Sequence, residues 1–122
     1  MSIKIAVSSE GPGLDDMLDS RFGRAAGFVV VDPETMESTY LNNGAAQLRG
    51  QGAGIQAAEM VAGSGAKLVL TGFVGPKAFQ ALQAAGIQVG QDLQGLTVRQ
   101  ALDRYKAGQV QTAQAPNSAG RR

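Results

Sequence analysis

Three short segments hold the residue types that could do chemistry in this chain. In DSRFGRAAGF, residues 19–28, Arg21 and Arg24 flank a Phe22-Gly23 pair. Arginine stays charged at any working pH, and its planar guanidinium offers several donors to an anion. Gly23 lets the loop fold tightly, and Phe22 can anchor it or give apolar cover. In RGQGAGI, residues 49–55, Arg49 precedes Gly50, Gly52 and Gly54, where missing side chains permit close backbone approach. In TGFVGPKAF, residues 71–79, Gly72, Phe73, Gly75 and Lys77 surround a turn from a strand into a helix. With Gly75 at the cap and Pro76 at the first helical position, free amides and a partial positive charge face outward, which suits an anion. Lys77 opposes the helix dipole in that first turn, so its placement asks for a reason.

Each segment also has a plainer reading. Arg21 and Arg24 can pair with Asp15, Asp16 or Asp19 on a loop surface, at little gain in stability. Lys77 can be a solvated lysine on a tight turn. The glycines at 50–54 follow a linker rather than a first strand, and no Gly-Lys-Ser/Thr closes them, so neither a dinucleotide fingerprint nor a Walker A loop is present. Glu10, Asp15, Asp16 and Asp19 match no EF-hand spacing. The first strand ends in Ser8-Ser9 instead of the carboxylates a two-metal nuclease needs. The chain has no Cys, no His and no Trp. That excludes, within the chain, disulfides, thiolate or imidazole metal ligands and His-based triads. A metal must be held by oxygen or arrive with its own ligands. No paired carboxylates, triad or thiol remains to support a hydrolase, so a non-catalytic protein is expected.

The elements that must position these residues read out from the hydrophobic pattern. At 122 residues a single domain is expected. The 5% aromatic content leaves Val, Ile, Leu and Ala to fill the core. A net charge of +1 argues against a nucleic-acid binder. No apolar run reaches membrane-spanning length, and the opening MSIKIAVSSEG is too short in its apolar part for a signal peptide, so no membrane association and a cytoplasmic location are expected. Strands are expected at Ile3–Val7, Phe28–Val31, Met36–Leu41, Lys67–Leu70 and Ile87–Val89. One helix is expected from Ile55 to about Gly63, another from Pro76 to Gly86. A third starts at Thr97-x-x-Gln100, the spacing of a capping box, and ends at Gly108. Residues 109–122 are polar and aperiodic, so a flexible tail is expected after a domain spanning 1–108. The order β-β-β-α-β-α-β-α specifies an α/β fold: a mixed five-stranded sheet with helices on its faces and the fourth strand beside the first. The carboxyl ends of those two strands then open at one edge, where open α/β sheets bind ligands.

Taken in series, IKIAVSSEGPGLDDMLDSRFGRAAGFVVVD, GQGAGIQAAEMVAGSGAKLVLTGFVGPKAFQALQAAGIQV and GLTVRQALDRYKAG resemble the dinitrogenase iron–molybdenum cofactor biosynthesis family over about residues 3–110. The resemblance implies a ribonuclease H-like three-layer fold and binding or carriage of molybdenum-containing metal–sulfur clusters. It also implies cluster-receiving or ATPase partner proteins. Where the family often shows His-Phe-Gly-Arg, this chain has Arg21-Phe22-Gly23-Arg24. Where a His often precedes Gly-Ala-Gly-Ile, it has Gln51-Gly52. The lack of Cys and His looks most like the orange-protein branch, which holds a sulfide-bridged molybdenum–copper cluster without covalent attachment. Such a cluster brings its own sulfides and negative charge. The protein then needs cations, N–H donors and apolar cover. Arg21, Arg24, Arg49 and Lys77 are the expected cations, the backbone at Gly52–Gly54 and Gly72–Gly75 the donors, and Phe22, Phe73 and Met17 the cover. An iron–molybdenum cofactor precursor, a phosphate-bearing metabolite and a protein interface remain as alternative occupants of the same basic rim.

Overall fold

Alternation along the strands determines how this chain is layered. In the computed structural model, which describes residues 3–44 and 52–117, five strands form one sheet in the order β3-β2-β1-β4-β5. The strands are β1 (Lys4–Ser9), β2 (Gly27–Val31), β3 (Ser38–Asn42), β4 (Ala66–Leu70) and β5 (Gln88–Gly90). The β1–β2 and β2–β3 pairs are antiparallel, while β1–β4 and β4–β5 are parallel. The helices are α1 (Ala53–Gly63), α2 (Pro76–Ala84) and α3 (Val98–Lys106). This is the three-layer α/β arrangement that the resemblance implied.

Each central strand feeds two cores. Ala6, Phe28, Val30 and Val69 pack with Ala57, Ala58, Val61, Phe79 and Leu82 of α1 and α2. Ile5, Val7, Val29, Val31, Leu68 and Leu70 point to the other face, against Val98, Ala101 and Leu102 of α3. β1, β2 and β4 are therefore nearly continuous apolar runs, as strands covered on both faces must be. Fully burying one such side chain contributes about 1.5–3 kcal/mol. At the start of α3 the capping box forms: Gln100 N donates to Thr97 Oγ1 at 3.1 Å, and Thr97 N to Gln100 Oε1 at 2.9 Å. No helix among the described residues is long and apolar enough to cross a membrane.

Two expectations need correction. β3 begins at Ser38 rather than Met36, because Met36 takes a left-handed backbone (φ 64°) that closes the turn after Asp32. The stretch from Gln109 is not a free tail over its described part. Thr112 bridges Gly90, and Ala113 N donates to Val89 O at 2.7 Å, so this segment covers the open edge of β5. An uncovered edge strand presents unpaired amides and carbonyls, and the segment satisfies some of them. Its absence of periodicity hid this, because edge pairing by a bridge or two leaves no hydrophobic pattern. Residues 118–122 of the expected tail lie outside the described residues.

Candidate functional site

The loop that leaves β1 is organised by one buried acid. Asp19 is 3% exposed. Its carboxylate accepts from Arg21 N at 3.0 Å, Ala26 N at 3.2 Å and the Arg21 guanidinium at 3.3–3.4 Å. One carboxylate thus holds both ends of the turn that carries Arg21 and Arg24. Beneath it, Ser8 Oγ lies 2.7 Å from both the Asp19 carbonyl oxygen and Thr71 Oγ1. A hydroxyl has a single proton, so Ser8 donates to the carbonyl and accepts from Thr71. These two fully buried hydroxyls lock the carboxyl ends of β1 and β4 together.

The three segments singled out in the sequence converge, over their described residues, at that edge. Phe73 N donates to Ser20 O at 2.7 Å, and Phe22 N to Phe73 O at 3.1 Å, which lays Arg21 alongside Phe73. A Cβ on Gly23 would stand 2.9 Å from Gly54 Cα, and one on Gly54 would stand 2.9 Å from Ala78 Cβ. The arginine loop, the first turn of α1 and the first turn of α2 therefore meet at glycine-only distances. Gly52, with φ 79°, caps α1, and Gly75 caps α2 with Pro76 following. Neither helix has an acidic residue in its first turn to neutralise its amides. Arg21 is exposed over 57% of its side chain, and Arg24, Phe73 and Lys77 are also exposed.

The roles differ from expectation at several positions. Phe22 is 1% exposed and packs on Phe28, with ring centroids 5.3 Å apart at 51°. It anchors the loop and offers no outward cover, because its amide pairing with Phe73 turns the ring into the core. Gly54 and Gly72 admit protein: Gly54 faces Ala78, and a Cβ on Gly72 would meet Ser20 O at 2.5 Å. Two of the amides expected as donors are spent, Phe73 N on Ser20 and Val74 N on Asn117 Oδ1 at 2.9 Å. The first-turn amides of α1 and α2 keep no intrahelical acceptor, as at every helix start. Met17 is exposed, and its backbone pairs with Glu10 and Thr97, which carries it toward the start of α3. Arg49 lies outside the described residues.

The acidic loop has a structural task. Val98 N donates to Asp16 O at 2.9 Å and Arg99 N to Leu14 O at 2.7 Å, so loop carbonyls cap α3. Asp15 pairs with Arg99 at 2.9 Å, and this hydrogen bond, followed by the charge of Arg99, lowers the Asp15 pKa below the ordinary carboxylate value. Among the described residues, no group of three or more His, Cys, Asp or Glu could hold a metal ion. Sequence reasoning missed Asp19 as the loop's organiser and Asn117 as a partner of the turn. The first had a signal, a lone acid two residues before Arg21. The second had none.

An α/β domain that gathers cations and helix starts at the carboxyl edge of its sheet is thus the class that geometry defines. The chain belongs to the dinitrogenase iron-molybdenum cofactor family, whose model matches residues 1–108. It is similar to the apo form of the orange protein from Desulfovibrio gigas, at 64% identity and a TM-score of 0.94, covering 97% of this chain and 98% of that one. A candidate NifB protein from Thermotoga is 29% identical with a TM-score of 0.77, covering 90% and 92%. The comparison with curated proteins returns no match.

Proposed function

We propose that this protein binds and carries a preformed, anionic molybdenum-containing metal–sulfide cluster, of the molybdenum–copper sulfide type, without catalysing a reaction on it. The observation that carries the reading is the meeting of the arginine loop with the first turns of α1 and α2, at an edge exposing Arg21, Arg24, Phe73 and Lys77. The donor set favours outer-sphere capture over coordination: a chain with no Cys or His has no thiolate or imidazole ligand to give. Charge-assisted hydrogen bonds from guanidinium and ammonium groups, with helix-start amides behind them, suit an anion that supplies its own sulfides. The buried hydroxyls of Ser8 and Thr71 are engaged with each other and with the backbone, so neither stands ready as a nucleophile. Similarity to the orange protein and membership of the cofactor family support a cluster as the cargo; a carrier role further calls for a receiving protein, which is part of this proposal.

The test is titration of the purified protein with tetrathiomolybdate and cuprous ion, followed by gel filtration, a visible spectrum and metal analysis. Retention of a chromophore with molybdenum and copper in fixed ratio supports the reading. Loss of all colour on the column, or binding displaced by millimolar-range inorganic phosphate (on the order of 1 mM, a weak-ligand scale), replaces it with a small-anion binder.

A further inference from the structure

The segment after α3 reaches back to the turn that leaves β4, and its last described residue uses its whole side chain there. Asn117 Oδ1 accepts from Val74 N at 2.9 Å. Its Nδ2 donates to Gly72 O at 2.8 Å and to Asp92 Oδ1 at 2.9 Å. Val74 N can only donate and Gly72 O can only accept, so the orientation of the amide is fixed by its partners. The backbone of Asn117 is held in turn, donating to Gln91 Oε1 at 3.0 Å, while Gln91 Nε2 donates to Ala115 O at 3.0 Å. Asp92, which completes the cage, keeps a left-handed backbone at φ 66° and donates its own amide to Gly72 O. A left-handed non-glycine residue persists only where its surroundings hold it.

The turn is therefore gripped from two sides. Ser20 holds Phe73 N from the arginine loop, and Asn117 holds Gly72 and Val74 from the C-terminal segment. Phe73 projects between the grips, 43% exposed, and Gly75, Pro76 and Lys77 follow directly as the start of α2. We infer that Asn117 is a positioning residue for the anion-binding edge: by clamping Gly72 and Val74 it fixes the direction of Phe73 and of the first turn of α2. The C-terminal segment is thereby a working part of the site. This inference rests on the binding role proposed above.

The experiment compares wild type with Asn117→Ala and Asn117→Asp in the full chain. The aspartate keeps an acceptor for Val74 N but has no donor for Gly72 O, and it sets a second carboxylate beside Asp92. Amide exchange of Val74 is read by NMR, together with β1 and β4 amides as a measure of global opening. Affinity for tetrathiomolybdate plus cuprous ion is read well below each variant's melting point. In Asn117→Ala, Val74 exchange should accelerate about tenfold or more, with the β1 and β4 amides unchanged, as for a local opening. Affinity should fall by roughly threefold to tenfold, about what loss of preorganisation at one turn removes. Asn117→Asp should weaken binding while protecting Val74 better than alanine does. Unchanged Val74 exchange, or faster exchange with full affinity, overturns the inference. Uniform acceleration of all amides with unchanged affinity also overturns it, since that marks a purely structural residue. A wild-type protein that takes up no probe defeats the cluster reading, and with it the ligand half of the inference. Val74 exchange in the alanine variant still separates that failure from failure of the clamp.

Discussion

Replacing Gly72 by alanine should separate the two halves of the candidate binding edge while leaving the sheet intact. The added Cβ would stand 2.5 Å from Ser20 O, 2.9 Å from Ser20 Cα and 3.0 Å from Ser20 C. All three are backbone atoms, so no flexible side chain can yield, and the Gly72–Val74 turn must move off the arginine loop. The bonds at risk are Phe73 N to Ser20 O and Phe22 N to Phe73 O. Each contributes about 0.5–1.5 kcal/mol net, and overpacking a closed site costs about 1–3 kcal/mol. The two effects overlap, because relieving the clash is what stretches the bonds, so about 2–5 kcal/mol is expected. At about 2.1 cal/mol/K per residue, a chain of this length loses roughly 4 °C of Tm for each kcal/mol, giving a fall of roughly 8–20 °C. Gly63→Ala is the control: nothing lies within 4 Å of the added methyl, and it should melt at or slightly above wild type. Calorimetry reads the stability, and amide exchange at Phe22 and Phe73 reads the contact. A Gly72→Ala protein as stable as wild type, with Phe22 and Phe73 still protected, would refute the view that this glycine exists for chain-to-chain approach.

Other substitutions divide anchoring from display. Phe22→Ala should destabilise by about 3–5 kcal/mol as a core deletion, whereas Phe73→Ala should stay within about 0.5 kcal/mol of wild type and lower affinity for the thiomolybdate–copper probe; denaturant melts with parallel titrations check both. Asp19→Ala removes the acceptor of Arg21 N and Ala26 N and should cost about 2–4 kcal/mol in a urea melt, from amides left unsatisfied. For Asp15, the folded-state pKa is lowered by Arg99, so the pair stabilises the fold above the ordinary carboxylate range and stops doing so as the pH falls through the lowered value. Both partners are exposed, so the Tm gap between wild type and Asp15→Asn should be small at neutral pH and close in acid; a gap that widens in acid reverses the sign.

The fold was legible in this sequence because its strands and helices carry strong periodic signals. IKIAV, FVVV and KLVL are apolar runs of strand length, and Thr97-x-x-Gln100 names its own helix start. The meeting of the arginine loop with the turn after β4 followed from the rule that the carboxyl ends of β1 and β4 share an edge. The uses of individual residues were less legible. Whether Phe22 points inward depends on its amide pairing with Phe73, a contact between residues 51 positions apart along the chain that no local pattern encodes. Glycine spacing announces close approach but not what approaches: Gly54 and Gly72 accept Ala78 and Ser20. Edge pairing by Thr112 and the Asn117 clamp arise from a handful of long-range hydrogen bonds, so a polar aperiodic stretch looked unstructured.

The central claim is that charge at this edge captures a preformed anionic cluster. Its most direct test is the salt dependence of thiomolybdate–copper affinity in wild type and in the Arg21→Ala, Lys77→Ala double variant. Both side chains are exposed, but Arg21 also pairs with the buried Asp19, so affinity is read well below the melting point of each protein. Capture by charge predicts that wild-type affinity falls steeply as salt shortens the Debye length from about 30 Å at 0.01 M to about 8 Å at 0.15 M. The double variant should bind more weakly at low salt and show a shallower slope. Equal affinity and equal slope in the two proteins would contradict the account.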